Sequence, residues 1–299
     1  EDDIGLDIKV GPDGSIYQVG HFRGTATFGP YTLVSQGIQD TYVAKLDADG
    51  NYLWVASGGG TSDDYAALMA VDHEGSVYIA GGFYGTAYFG PHTVVSGGSE
   101  EMFVAKVDKD GNWVYATATS GSSWGSGVDI EVDDAGNCYV SVNLYTTMWF
   151  DGISKTSHGK RDIAVAKLDP DGNFVWVASG GGSDYDTAAG IDVDSAGNVY
   201  VTGTIHGTAT FGSVVLMTAS GSDDAVVLKI DPAGNFVWGV MGGGTSGEAA
   251  KGLIVDSHDD IYVAGQYSSE NATFGSDVLT WHGYNDLFIS KLDSDGNFL

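Results

Sequence analysis

Acidic residues are the first in this chain whose types and spacing could do chemistry. In "LDPDGNFVW", Leu168 to Trp176, Asp169 and Asp171 stand one residue apart, ahead of Gly172 and Asn173. Alternating oxygen ligands followed by a glycine are how a calcium loop begins, but such a loop must converge six or more oxygens and close with a distal acid. The stretch is one of ten related tetrapeptides: GPDG, DADG, DHEG, DKDG, DDAG, DPDG, DSAG, DPAG, DSHD and DSDG. Nine begin with Asp and nine end with Gly, whereas the middle acid gives way to Ala135, Ala196 and Ala233. A ligand set would not discard an acid so freely. The pattern is that of a hairpin turn, in which the Asp side chain accepts backbone N–H groups and the Gly supplies a positive φ.

A second set of acids aligns at the start of successive strand-like segments: Asp3, Asp64, Asp186 and Glu248, with Gly125 in the remaining copy. Carboxylates gathered near one another repel unless a cation bridges them, so calcium or another hard cation at Asp3, Asp64, Asp186 and Glu248 is one expectation. Capping of backbone N–H groups where each strand begins is the other. No motif demands an organic cofactor.

A third group can recognise a sugar. One loop position aligns as Arg23, Tyr84, Tyr145, His206 and Ser268, Trp124 lies in the third copy, and the fifth adds Trp281, His282 and Tyr284. Aromatic faces beside Asp and Asn suit a pyranose ring and its hydroxyls. The competing expectation is that part of these rings pack between repeats. Asp7, Asp129, Glu131 and Asp192, on the innermost strands, are the candidate acids for a glycosidase, whose paired carboxyls would need unlike pKa values.

Other chemistries find no residues. Two arginines, Arg23 and Arg161, cannot form the arginine triad of a sialidase. No G-x-S-x-G elbow, P-loop or Cys/His cluster is present. The lone Cys138 sits in the strand-like "GNCYVSV" and reads as a small buried hydrophobe. Forty acidic residues against 12 basic ones give a net charge of -28, which argues against nucleic acid and anionic membranes as partners. It leaves a neutral or cationic glycan, or a protein, as partner of a monomer.

These residues must be held by something, and the internal repeat says what. "TATFG" recurs around Phe28, Phe89, Phe150, Phe211 and Phe274, in step with "TYVAKLD"-like and "SVYIAG"-like runs. Five copies of a unit near 60 residues follow. Each unit contains short Val-, Ile-, Tyr- and Phe-rich runs bounded by Gly and Asp, with no sustained helical period. The expected fold is all-β: a single five-bladed β-propeller over 1–299, with about four antiparallel strands per blade and a small hairpin in the long loop. The blades are expected near 1–60, 61–121, 122–182, 183–244 and 245–299. The fifth copy stops at "DGNFL", where others continue as "DGNYLWVASGGG". The parent protein is therefore expected to continue. Lysines 45, 106, 167, 229 and 291 are expected to meet acids or carbonyls of a neighbouring blade.

"DIAVAKLDPDGNFVWVASGGGSDYDTAAGIDVDSAGNVYVTG" resembles the bacterial β-propeller repeats called SBBP, similar in style to NHL repeats. That resemblance covers all five units. It implies a secreted or cell-surface, non-catalytic binding or display module. A structural spacer and a five-bladed glycoside hydrolase are the alternatives.

Overall fold

A computed structural model describes residues 2–121 and 127–299. The described residues are all-β apart from one 3-10 turn at Ala219–Gly221. They divide into two compact units. The first holds Glu1–Val140, Met148–Ser154 and Lys167–Val175; the second holds Ser141–Thr147, Lys155–Ala166 and Trp176–Leu299.

In the first unit, repeat one comprises β1 (Ile4–Val10), β2 (Ile16–Phe22), the hairpin β3 (Thr25–Phe28) and β4 (Tyr31–Val34), then β5 (Asp40–Leu46) and β6 (Tyr52–Gly60). The sheet runs β1-β2-β5-β6, each strand antiparallel to its neighbour. Alternation explains why β2 holds: Tyr17, Val19 and Phe22 are fully buried, and Tyr17 and Val19 lie two residues apart on one face. Repeat two copies this order with Asp64–Val71, Val77–Phe83, Glu101–Val107 and Trp113–Ala118. In the second unit, repeat four follows with Thr187–Val193, Val199–His206, Asp223–Ile230 and Phe236–Gly243. Repeat five pairs Glu248–Val255, Ile261–Tyr267 and Asp286–Leu292, and its next segment makes only the bridge Leu292–Phe298.

The small hairpin expected in the long loop is present in every repeat, and it ties repeats together. Its first strand pairs with the glycine end of the preceding repeat's outer strand. Gly59 pairs with Tyr88, Gly121 with Met148, Gly181 with Thr210 and Gly242 with Phe274. Glycine is required there because a Cβ at Gly58 or Gly242 would strike the ring of Phe89 or Phe274 well inside 3.0 Å. Those phenylalanines carry the core: Phe89 lies 4.7 Å from Phe103 and 4.9 Å from Trp113, and Phe274 lies 4.4 Å from Phe288. Full burial of such a ring contributes roughly 1.5–3 kcal/mol.

The Asp–Gly turns are built from their own side chains. Asp169 Oδ1 accepts the N–H of Asp171 (3.0 Å) and of Asn173 (2.9 Å), and Asn173 Nδ2 donates to both carboxylate oxygens. These donors hold the Asp169 carboxyl below its ordinary pKa, the Asn173 side-chain bond contributing most. Gly172 takes φ 87°. In repeat five the equivalent position is Asp259, which adopts φ 62°, a region an Asp enters at some cost.

The outer-strand aromatics fasten one repeat to the next turn. Trp54 Nε1 donates to Lys109 O (2.9 Å), Trp176 Nε1 to Pro232 O (3.0 Å) and Trp238 Nε1 to Ser294 O (3.2 Å). A Cβ at the turn glycines Gly111, Gly234 or Gly296 would fall on those indoles at 3.0, 2.8 and 3.1 Å. The lysines depart from expectation. Lys45 meets Asp13 (3.1 Å), Lys106 lies 3.9 Å from Asp72 and Lys291 meets Asp260 (2.7 Å), each within its own repeat, whereas Lys229 reaches forward to Ser294 O as expected. Each lysine also lies over the tyrosine opposite it on the neighbouring strand, from 4.6 Å for Lys106 over Tyr78 to 5.2 Å for Lys229 over Tyr200. Cross-strand pairing, which sets direct neighbours on one face, decides the partner here. Cys138 is fully buried, and burial pushes its thiol pKa up, which makes it inert.

Candidate functional site

The aligned acids at the strand starts bond to backbone. Gly60 N–H donates to Asp64 Oδ2 (2.6 Å), Gly182 N–H to Asp186 Oδ2 (2.6 Å) and Gly244 N–H to Glu248 Oε2 (2.7 Å). The other oxygen of Asp186 accepts His206 N–H (3.0 Å), and that of Glu248 accepts Ser269 N–H (2.9 Å). Asp3 is exposed and receives the Arg23 N–H at 3.4 Å. Gly125 lies outside the described residues. Among the described residues, no group of three or more His, Cys, Asp or Glu side chains is placed to hold a metal ion. The bonds made by Asp64, Asp186 and Glu248 are those of strand-start caps.

Each of these caps also meets a second carboxylate, that of the acid opening the third strand of the repeat before. Asp40 receives Gln36 N–H (3.0 Å), Asp162 receives His158 N–H (3.0 Å) and Asp224 receives Ser222 Oγ–H (3.1 Å). Burial raises the pKa of Asp40, and it pushes Asp64 and Asp224 up to about 6. Like charge adds to this at Asp64, from Asp40, and at Asp224, from Glu248. A glycine backbone fills the space between: a Cβ at Gly181 would meet Asp162 Oδ1 at 2.6 Å and Asp186 Oδ2 at 2.8 Å.

The innermost-strand acids also turn inward to the chain. Asp7 Oδ1 accepts Ile8 N–H (2.7 Å), Asp129 Oδ1 accepts Ile130 N–H (2.9 Å) and Glu131 Oε1 accepts Val132 N–H (3.0 Å). Asp192 takes Val193 N–H (2.7 Å) and Val255 N–H (2.6 Å), locking repeat four to repeat five.

The variable loop positions are different: in repeats one to four each pairs with a side chain at or just ahead of the start of the third strand, and in repeat five Ser268 bonds Ser246 and Gly247. In the first unit Arg23 Nε and Nη2 donate to Gln39 Oε1 (3.3 and 3.2 Å). Tyr84 Oη donates to Glu100 Oε2 (2.9 Å), and Tyr65 Oη donates to the other oxygen of that carboxylate. In the second unit the Arg161 guanidinium lies 4.4 Å from the Tyr145 ring centre and 5.6 Å from that of Tyr185. Lys160 sits 4.8 Å over the same Tyr185 ring and binds Asp184 (2.7 Å), which it holds below the ordinary carboxylate pKa. His206 continues the row, with Nδ1 2.8 Å from Asp223 Oδ1 and Nε2 3.9 Å from Asp184 Oδ2.

Thus Tyr145, Lys160, Arg161, Asp184, Tyr185, His206 and Asp223 form one patch, to which the expected sugar-binding position contributes Tyr145 and His206. Tyr185 is 49% exposed. The signal for the others was available: Gln39, Glu100 and Arg161 share one place in the repeat, 16 residues after Arg23, Tyr84 and Tyr145. Trp281, His282 and Tyr284 form a separate loop. Trp281 Nε1 donates to Tyr284 O (2.7 Å), His282 N–H donates to Asp286 Oδ2 (2.6 Å), and the Tyr284 side chain is 95% exposed. Trp124 lies outside the described residues.

Residues 175–208 match the SBBP β-propeller repeat, which supports a β-propeller repeat family for this chain. Two curated relatives align. The regulatory protein FlaEY of Caulobacter vibrioides is 29% identical over 143 residues, covering 46% of this chain and 15% of its own length. An uncharacterized WD repeat-containing protein of Acanthamoeba polyphaga mimivirus is 22% identical over 335 residues, covering 98% of this chain and 22% of its own length. The chain thus spans about a fifth or less of those relatives. Among solved structures, a protein of unknown function from Bacteroides caccae aligns at TM-score 0.39 and 10% identity, over 94% of this chain and 92% of that one. A gluconolactonase from Xanthomonas campestris aligns at TM-score 0.38 and 14% identity, over 100% and 86%. The described residues are all-β, and the repeat that matches is a β-propeller repeat.

Proposed function

We propose that the chain is a non-catalytic binding or display module of an extracellular or cell-surface protein, built on five blades, and that its ligand is a glycan taken at the loop-rich face. The observation that carries this reading is the patch around Tyr185. An aromatic face, half open to solvent, is steadied by Arg161 and Lys160 and bordered by Asp184, His206 and Asp223. A ring face flanked by carboxylate acceptors and by ammonium and guanidinium donors suits a sugar's apolar face and hydroxyls. It arises where the repeats differ, which is where a repeat scaffold can hold a specific site without disturbing its core. The candidate glycosidase acids, in contrast, accept backbone N–H groups beside them. Net charge of -28 favours neutral or cationic glycans.

A glycan array probed with and without calcium tests the reading. Saturable binding to a restricted set of glycans, lost in Tyr185→Ala while the unfolding midpoint is unchanged, is the expected result. A flat array in both conditions overturns it. The loop Trp281–Tyr284 serves as a comparison: if only Trp281→Ala abolishes binding, the site has been assigned to the wrong loop.

A further inference from the structure

Lys155 stands where the other repeats place an apolar side chain. It is the third residue of the hairpin strand Ile153–Thr156, and the same place holds Leu33, Val94, Leu216 and Leu279. Leu33, Val94 and Leu279 belong to or pack against buried hydrophobic clusters. Leu216 shows where the side chain points, since its Cδ1 would lie 3.1 Å from a Cβ on Gly239 of the outer strand. In repeat three those two places are Lys155 and Val177, and both line one open cleft of about 640 Å³. That volume falls within the range of small-molecule sites.

The cleft holds donors that the chain does not use. Ser179 joins it from the outer strand of repeat three, and Ser213 from the hairpin turn of repeat four. Among the described residues, neither hydroxyl nor the Lys155 ammonium has a hydrogen-bond or ion-pair partner. Lys9 and Lys251 also lack one, but they are exposed and water serves them, whereas Lys155 is half-buried. A cation partly withdrawn from water calls for an anion. None of the 40 acids lines this cleft. Asn235 brings Asp231 close, but that carboxylate is occupied by the Asn235 N–H (2.8 Å) and side-chain amide (3.2 and 3.0 Å). The equivalent trios elsewhere are Leu33, Ser57 and Pro91; Val94, Ala118 and Gly152; and Leu216, Met241 and Ser276. A lysine and two serines coincide at this place alone.

We infer that the cleft binds a small organic molecule through a single carboxylate, with Lys155 as counter-charge and the Ser179 and Ser213 hydroxyls as donors. One ammonium matches one negative charge, whereas a phosphate brings about two into a chain of net charge -28. Acids farther than about 8 Å are screened at physiological salt. Val177 and the half-buried ring of Phe236 give the carbon frame of the ligand an apolar wall. The site shares no residue with the Tyr185 patch and does not depend on it.

The test titrates the whole isotope-labelled chain and follows its backbone amides by NMR. Sodium benzoate and sodium glucuronate are the probes, one with an apolar frame and one with a sugar frame; benzamide and glucose are their neutral counterparts. Saturable movement of the Ser179 and Ser213 amides is expected with at least one carboxylate, half-complete at or below about 10 mM, and with neither neutral compound. Which carboxylate binds more tightly tells the apolar from the sugar-like ligand. Lys155→Met keeps an unbranched stem and returns the slot to its apolar character in the other repeats. It should abolish the response without lowering the unfolding midpoint. Ser213→Ala, on an exposed turn, should weaken binding about tenfold, and it keeps the test decisive should the lysine variant misfold. No movement with either carboxylate at about 10 mM overturns the inference. So does an undiminished response in Lys155→Met. So does inorganic phosphate binding as tightly as the carboxylates, which would make the cleft a general anion site.

Discussion

Replacing Asp64 by Asn should change how stability responds to pH. The Asp64 side chain is fully buried, accepts the Gly60 N–H and stands near the buried Asp40. Burial first, and Asp40 after it, raise its carboxyl from 3.8 to about 6. Because the folded-state value is the higher one, the folded chain holds the proton more tightly than the unfolded chain. The stability this confers is complete below pH 3.8 and is lost as pH rises through about 6. A shift of about two pKa units corresponds to roughly 3 kcal/mol. Asn cannot titrate, and it is nearly isosteric with the neutral acid. Its amide loses one acceptor, which costs about 1–3 kcal/mol at every pH. The difference between variant and wild type should therefore move by roughly 3 kcal/mol in favour of Asn between about pH 4 and pH 7. Urea unfolding at pH values across that range, read as midpoint times slope, measures it. Taking the difference cancels the effect of the other 39 acids, and the acids held below their ordinary pKa by turn hydrogen bonds titrate under this window. A pH-independent difference, or one that moves the other way, would refute both the proximity of Asp40 and the desolvation argument.

Three further outcomes are expected. Gly181→Ala forces a methyl between the Asp162 and Asp186 carboxylates and should cost about 1–3 kcal/mol in unfolding free energy. Trp176→Phe keeps an aromatic ring over Gly234 but loses the bond to Pro232 O, so a loss of about 1 kcal/mol should appear in denaturant melts. Asp169→Ala removes the acceptor that folds its turn and should cost about 1 kcal/mol at neutral pH. That cost should shrink as pH falls below 3.8, since the bonded carboxylate has a lowered pKa, and a chelator should leave the thermal midpoints of wild type and variant unmoved.

The fold was legible because its signals are local and repeated. An Asp–Gly turn needs only residues four apart, and ten copies of it expose the rule that one copy hides. Phe28, Phe89, Phe150, Phe211 and Phe274 marked the hairpins for the same reason. What stayed hidden depends on neighbours far along the chain. Nothing in "DGNFVW" says that the Trp176 indole N–H reaches Pro232, 56 residues on. Nothing in the run "SGGG" says that Gly58 and Gly60 are glycines because the next hairpin arrives where their side chains would be. Lys45 stays within its own repeat because cross-strand pairing sets it over Tyr17, a neighbour that spacing along one strand does not reveal.

The same distinction separates scaffold from site. A residue kept in every copy serves the sheet or the junction, as Asp169 does in its turn, and the acids at less regular positions follow it: Asp64 and Asp192 also accept backbone N–H groups. Positive charge is the scarcer quantity, with 12 basic residues in 299. Five of the twelve are lysines set at one place in each repeat, over a tyrosine. Of the seven that remain, Lys160 and Arg161 are adjacent and both engage the ring of Tyr185. A chain so poor in cations places two of the few that its repeats do not use on one half-exposed ring, where Lys160 also binds Asp184.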